Sequence, residues 1–106
     1  MDEHLFERIA DDEMRYLERE LCRLDPDELE VELAHDVLKL TLADGAEIVI
    51  NSHRAAGQIW MAALRRAWHF TPVEGTDGWR WRTGEDELRS TLRQLLAARL
   101  GHTIDL

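Results

Sequence analysis

The sequence predicts an α+β two-layer sandwich, in which an N-terminal and a C-terminal helix pack on one face of an antiparallel sheet of five or six strands. Three observations predict this fold. Apolar residues recur with helical spacing at both ends of the chain, short alternating segments fill the middle, and their connections are too short for parallel crossovers. With 106 residues the chain supports one hydrophobic core, so residues 1–106 are expected to form a single domain.

The first element is an amphipathic helix over about residues 3–24. Its apolar residues recur every three or four positions, at Phe6, Ala10, Met14, Leu17, Leu21 and Leu24. Pro26 is expected to end this helix, because proline cannot continue the helical hydrogen bonding.

Short strands follow the helix. Leu29, Val31 and Leu33 alternate with Glu28, Glu30 and Glu32, and "AHD" then turns the chain into a second strand carrying Leu38, Leu40 and Leu42. A turn at Asp44–Gly45 leads into "EIVIN", and "QIWMAA", "WHFTPV" and "WRWR" are expected to be further strands. In the fourth strand, Trp60 alternates with Ile59 and Met61, so its indole is expected to face away from the helices, as a candidate interface anchor or as a half-buried sheet residue.

The last element is a helix with a stripe of leucines at 88, 92, 95, 96 and 100, closed by Gly101. Thr83 with Asp86 predicts a capping box at its start. Trp68, Trp79 and Trp81 are expected to pack in the core and against the sheet.

Charge is distributed unevenly along the chain. Residues 1–36 hold 14 acidic residues and 4 arginines, while residues 37–106 hold 8 acidic and 9 basic residues, so the whole excess behind the net charge of −9 lies in the first third. This acidity argues against nucleic-acid and anionic-membrane partners and favours cations or a basic protein surface. Because no apolar run is long enough to span a membrane, and acids replace the basic start of a signal peptide, a cytoplasmic location is expected.

Acidic side chains form a line on this region. On a helical wheel, Glu7, Asp11 and Glu18 lie roughly 80° to 120° from the core direction. Asp25 and Asp27 continue through the loop, and Glu28, Glu30 and Glu32 are expected to share the outward face of the first strand, about 7 Å apart. If that strand is the sheet edge beside the first helix, these eight residues form one surface, which we call the acidic ridge.

The acidic ridge has a structural and a functional explanation. Charged residues on an edge strand discourage aggregation, and arginines on the helix can pair with the acids. Like charges on one strand nevertheless repel each other, and clustered carboxylates are hard oxygen donors suited to Fe³⁺, Mg²⁺, Ca²⁺ or Mn²⁺. The sequence lacks an EF-hand loop or a two-histidine–one-carboxylate set, so metal binding is expected to be weak and exchangeable.

No other motif points to chemistry. The five histidines lack metal-ligand spacing, and only His4, one turn before Glu7, is expected to assist the acidic ridge. The single cysteine, Cys22, cannot form an intramolecular disulfide and is expected to be at least partly exposed. A nucleophile elbow, a P-loop, a dinucleotide-binding fingerprint and a CxxC pair are all missing, so we expect a protein that is not an enzyme.

The order of these elements resembles the frataxin family, specifically its bacterial members. The resemblance covers nearly the whole chain and is most specific at "NSHRAAGQIWMA", where Asn51 and Gln58 precede Trp60, and at "WHF" and Trp79. The chain differs from the family pattern at Arg19, Cys22 and Arg23, where relatives extend the acidic run. It also differs at His53 and Ala55, where relatives carry glutamine and proline.

The resemblance implies a non-enzymatic iron-binding protein that regulates iron–sulfur cluster assembly by contacting the cysteine desulfurase and its scaffold protein. It adds Glu3 to the acidic ridge as a site for Fe²⁺ or Fe³⁺, and it implies a partner contact at Asn51, Gln58 and Trp60. We expect a monomer that metal can bring together into oligomers. Two alternatives remain open: an acidic adaptor that binds a basic protein without metal, and a ferroxidase-type enzyme.

Overall fold

The computed structural model describes all 106 residues and places two helices on one face of an antiparallel sheet. The helices are α1 (Glu3–Leu21) and α2 (Leu88–Leu100). The strands are β1 (Leu29–Ala34), β2 (Val37–Leu42), β3 (Glu47–His53), β4 (Gln58–Ala63), β5 (Arg66–Gly75), β6 (Gly78–Thr83) and β7 (Asp86–Glu87), with a short 3-10 helix at Arg54–Ala56 between β3 and β4. The predicted two-layer architecture is confirmed, although the sheet has seven strands because the two-residue β7 pairs with β6.

The sheet is a meander in which each strand pairs with the next along the chain, so β1 and β7 are its edges. Alternation directs one face of every long strand toward the helices, and the buried apolar side chains lie on that face. The core contains Leu38, Leu40, Ile48, Ile50, Ile59, Met61, Phe70 and Trp81 from the sheet, and Phe6, Met14, Leu17, Leu21, Leu88, Leu92 and Leu96 from the helices. Trp68 is buried as well and Trp79 packs against the core, as predicted.

Helix α1 ends three residues earlier than predicted. Cys22 caps it, its backbone N–H bonding the Glu18 carbonyl at 2.9 Å. The following turn carries Leu24 back against the core, which explains why its spacing still fits the helical pattern. The prediction that Pro26 ends the helix is therefore wrong.

The predicted capping box at the start of α2 is also wrong. Thr83 and Asp86 face each other as a cross-strand pair of β6 and β7. The N-cap is Glu87, whose carboxylate accepts a hydrogen bond from the Arg89 backbone N–H at 2.8 Å. At the other end Gly101 adopts the left-handed conformation predicted for the C-cap, with φ 82°.

Two hairpins use two-residue turns with positive φ. His35 and Asp36 join β1 to β2 with φ of 51° and 65°, and Leu64 and Arg65 join β4 to β5 with φ of 52° and 67°. Both turns have the backbone twist that antiparallel strands prefer. Asp36 suits such a position, because a short polar side chain can hydrogen-bond locally and offset the cost of the left-handed backbone. Leu64 does not, because its apolar side chain makes no such hydrogen bond.

Candidate functional site

The acidic residues are carried by two neighbouring elements, as predicted. Helix α1 contacts β1, and β1 is an edge of the sheet. Leu29 is buried toward the helices, while Glu30 and Glu32 are exposed on the opposite, outward face. The acidic residues of α1 therefore lie on the helix layer and those of β1 on the outward face, with the sheet edge between them.

Glu28 does not belong to the outward face of β1. It lies in the turn before the strand, and its carboxylate is 2.7 Å from Nε2 of His102 in the C-terminal tail. The prediction of three evenly spaced carboxylates on one strand is therefore wrong for this residue. Glu28 continues the alternation of Glu30 and Glu32 in the sequence, but it lies one residue before β1 begins.

Several acidic residues already have basic partners. Nε of Arg54 lies 3.1 Å from Glu7 and 3.9 Å from Glu3, and Arg15 donates to Asp11 at 2.8 Å. The Asp11 hydrogen bond and its charge raise the pKa of Arg15. The helix part of the acidic ridge is thus partly neutralised by exposed ion pairs, which water and salt screen strongly.

A lysine lies beside the carboxylates of β1. Lys39 on β2 pairs directly with Glu32 in the strand register, and its ammonium is 3.0 Å from Glu47 on β3. The hydrogen bond and charge of Glu47, together with the charges of Glu32 and Glu30, raise the pKa of Lys39. The charge of Lys39 reduces the repulsion between the carboxylates of Glu30 and Glu32. The sequence pattern of β1 alone does not reveal this effect, because Lys39 belongs to β2.

No group of three or more His, Cys, Asp or Glu side chains in the structure is placed to hold a metal ion together. Asp25 uses one carboxylate oxygen to accept the Asp27 backbone N–H at 2.8 Å. Cys22 is exposed, as predicted, and neither it nor His4 joins such a group. The carboxylates chemically suit a hard cation, but their arrangement is an extended charged surface rather than a preformed coordination site.

The second candidate surface is the outward face at the centre of the sheet. Asn51, Trp60 and His69 face one another across β3, β4 and β5. Ile59 and Met61 are buried and Trp60 is only half-buried, so its indole faces outward as predicted.

Trp60 lies between two histidine rings. Its ring centroid is 3.8 Å from that of His53 and 4.1 Å from that of His69, with interplanar angles of 20° and 13°. Its Nε1–H donates to Gln58 Oε1 at 2.9 Å, and the Gln58 amide donates to Thr71 at 3.2 Å. These contacts fix the orientation of the half-buried indole. We call the rings of His53, Trp60 and His69 the aromatic stack.

Sequence reasoning missed His53, His69 and Arg54. The two histidines lie on the outward face with Asn51 and Trp60, but their stacking on Trp60 depends on a strand register that the sequence pattern does not contain. Arg54 was missed because its ion pairs with α1 join residues nearly 50 positions apart.

The comparisons with known proteins agree with this architecture. A family model described as a frataxin-like domain matches residues 1–104. The chain belongs to the frataxin-like family. This membership confirms the resemblance that the sequence motifs indicated.

Relatives in this family include two bacterial proteins named iron–sulfur cluster assembly protein CyaY. The protein from Dechloromonas aromatica is 34% identical, with 100% of this chain and 99% of that protein aligned. The protein from Thioalkalivibrio sulfidiphilus is 38% identical over 80 residues, which are 74% of each chain. The solved frataxin from Psychromonas ingrahamii superposes with a TM-score of 0.83 over 99% of this chain and 97% of that one, at 19% identity, and supports the frataxin-like fold.

The frataxin-like fold here contains no helix that is long and apolar enough to cross a membrane.

Proposed function

We propose that this chain is a non-enzymatic regulator or iron chaperone of iron–sulfur cluster assembly. The observation that carries the proposal is membership of the frataxin-like family together with relatives named for this process, one of which aligns over the whole chain. On this proposal the acidic ridge binds Fe²⁺ or Fe³⁺ weakly, with other divalent cations as competitors, and docks on a basic surface of the cysteine desulfurase. Asn51, Gln58 and Trp60 contact the scaffold protein.

The distribution of charge supports weak, exchangeable iron binding. Glu30 and Glu32 are exposed and lie on the same face of an edge strand. A cation at this edge meets oxygen ligands and keeps much of its hydration, because no third side chain closes around it. Such a surface releases metal readily, as a carrier must.

The same carboxylates support docking to a basic protein. Binding of metal and of a basic partner is linked through charge, because each bound cation cancels part of the field that attracts the partner. Exposed charges at an edge mainly accelerate encounter and select the partner. The outward aromatic stack then supplies a hydrophobic contact close to the centre of the sheet.

An anaerobic Fe²⁺ titration followed by amide NMR tests the metal part of the proposal. Broadening is expected at α1 residues Glu7 and Asp11 and at residues 25–32, and it should be lost near β1 in a Glu30→Gln/Glu32→Gln variant. The matched control is Glu85→Gln/Asp86→Asn, which removes the same charge from exposed positions at the opposite side of the sheet. No localised response at sub-millimolar Fe²⁺ would contradict iron loading.

The structure favours one alternative function, an acidic adaptor that needs no metal. Ion pairs of Glu7, Asp11 and Glu28 already occupy part of the acidic ridge, and no group of three potential ligands is present. Salt-sensitive binding to the desulfurase without any Fe²⁺ response would support the adaptor. Oxygen-dependent turnover of Fe²⁺ above the background rate would instead indicate a ferroxidase.

A further inference from the structure

Residues 53–56, which we call the linking segment, contact both candidate surfaces. On the helix side, Arg54 Nε lies 3.1 Å from a Glu7 carboxylate oxygen and 3.9 Å from one of Glu3. On the sheet side, the His53 ring stacks on Trp60 at 3.8 Å. Two adjacent residues therefore connect α1 to the aromatic stack.

Hydrogen bonds make the linking segment a compact unit. His53 is the N-cap of the 3-10 helix, and its Nδ1 accepts the Ala56 backbone N–H at 3.2 Å. The Gly57 backbone N–H bonds the Arg54 carbonyl at 3.1 Å, with Gly57 in the left-handed conformation at φ 64°. Because the His53 ring both caps this turn and stacks on Trp60, a shift of the turn changes the stack.

We propose that the linking segment couples the acidic ridge to the aromatic stack. A cation, or a basic side chain of a partner, that takes Glu7 away from Arg54 removes the shorter of the two ion pairs between the linking segment and α1, and the His53–Trp60 stacking changes in response. The nature of this ligand rests on the proposed function, whereas the coupling itself rests on the contacts of Arg54 and His53.

The coupling is small, because the Arg54–Glu7 pair is exposed. The side chains are 57% and 41% exposed, and exposed ion pairs contribute little to stability. Coupling between two sites is reciprocal, so removing Arg54 is expected to strengthen cation binding at Glu7 by no more than about fivefold.

Variants of the full chain test the coupling without any ligand. In ¹H–¹⁵N NMR spectra, Glu7→Gln and Arg54→Gln are each expected to shift the Trp60 indole Nε1–H signal, and the double variant is expected to show no larger shift than either single one. The matched control is Asp11→Asn. It removes one charge from the same helix, but Asp11 pairs with Arg15 and not with Arg54. An unmoved Trp60 signal in Glu7→Gln and Arg54→Gln, or an equal shift in Asp11→Asn, would overturn the proposal.

A titration with Mg²⁺ alone tests the response to a cation. Mg²⁺ is expected to move the Trp60 indole signal of the wild type, and this movement should be lost in Arg54→Gln while binding becomes up to about fivefold tighter. Equal movement in both proteins would overturn the proposal. If Mg²⁺ does not bind at all, cation binding by the acidic ridge fails, and the ligand-free variants still decide whether the two surfaces are coupled.

Discussion

Arg89 holds Glu13 with two hydrogen bonds, from Nη2 to Oε1 at 2.8 Å and from Nε to Oε2 at 2.9 Å. Glu13 belongs to α1 and Arg89 to α2, so this pair joins the two helices that form the helical layer. The Glu13 side chain is only 4% exposed, and the Arg89 guanidinium also lies 3.8 Å from the centre of the Tyr16 ring. The hydrogen bond to Glu13 raises the pKa of Arg89, so the Arg89 guanidinium stays charged throughout the ordinary pH range.

Arg89→Met is therefore expected to destabilise the protein by about 3–5 kcal/mol, because it leaves the Glu13 carboxylate buried without its partner. Glu13→Leu/Arg89→Met, which removes both charges, should recover most of this loss. Urea unfolding at pH 7 measures both effects. Arg15→Met is the control, since its pair with Asp11 is exposed, and a similar loss in that variant would contradict the argument.

The sequence predicted the features that depend on local periodicity. The alternation around Trp60 correctly placed its indole outward, and the leucine spacing from residue 88 correctly located α2. The Glu13–Arg89 pair was not predictable, because the two residues are 76 positions apart and Glu13 is one of many acids on α1.

Two of the errors, at the start of α2 and at Glu28, share one physical cause. Thr83 with Asp86 has the local pattern of a capping box, and Glu28 has the local pattern of a strand residue, yet tertiary pairing decides both positions. Thr83 pairs with Asp86 across a hairpin, and Glu28 contacts His102 at the opposite end of the chain. The acidic ridge was predicted as a row of charges. Its Asp11–Arg15 pair follows the local spacing of a helix, but the pairs of Glu7 with Arg54 and of Glu28 with His102 depend on contacts that no local pattern records.

The His102–Glu28 contact predicts a dependence of stability on pH. The Glu28 hydrogen bond, the Thr103 carbonyl and the Glu28 charge raise the pKa of His102 above its usual value near 6.5. The resulting stabilisation is fully present below about pH 6.5 and is lost as the pH rises through the raised pKa of His102. His102→Gln should therefore lower the Tm at pH 6 more than at pH 8.5.

Thermal unfolding of Glu28→Gln should show the same reduced dependence on pH. His35→Asn is the control, because His35 has no ion-pair partner in the structure and asparagine tolerates its left-handed backbone. If the Tm of His102→Gln differs from that of the wild type by the same amount at pH 6 and at pH 8.5, the His102–Glu28 contact does not act through protonation of His102.

The β4–β5 turn predicts a stabilising substitution. Leu64 and Arg65 both have positive φ, and Leu64 is 42% exposed, so neither side chain is required by the core. Leu64→Asn/Arg65→Gly provides the residues that this turn prefers and is expected to stabilise the protein by about 1–2 kcal/mol. Urea unfolding measures the change. The control is Ala43→Asn in the β2–β3 turn, which should give no gain because Ala43 does not have a positive φ.

Charge reversal at the acidic edge tests docking on the desulfurase. Glu30→Lys/Glu32→Lys is expected to weaken binding at least tenfold at low salt and to flatten its dependence on ionic strength, because the repulsion replaces attraction to a basic surface. Calorimetry at several salt concentrations measures both quantities. Glu85→Lys/Asp86→Lys makes the same charge change at the opposite side of the sheet, and equal weakening there would point to net charge rather than to this edge.

Trp60→Ala tests the outward face as a contact for the scaffold protein. A tryptophan at the centre of an interface is commonly a hot spot, so its loss is expected to weaken scaffold binding by about 2 kcal/mol or more, roughly thirtyfold. Binding by titration calorimetry measures this change, and the Tm of the variant checks that its fold is retained. Val73→Ala is the control, because Val73 is an exposed apolar residue near the end of β5, away from the aromatic stack.

Since the Trp60 ring lies between those of His53 and His69, His69→Ala should weaken binding less than Trp60→Ala does, because it loosens the indole without removing it. Unchanged scaffold affinity in Trp60→Ala would show that the partner does not contact this face.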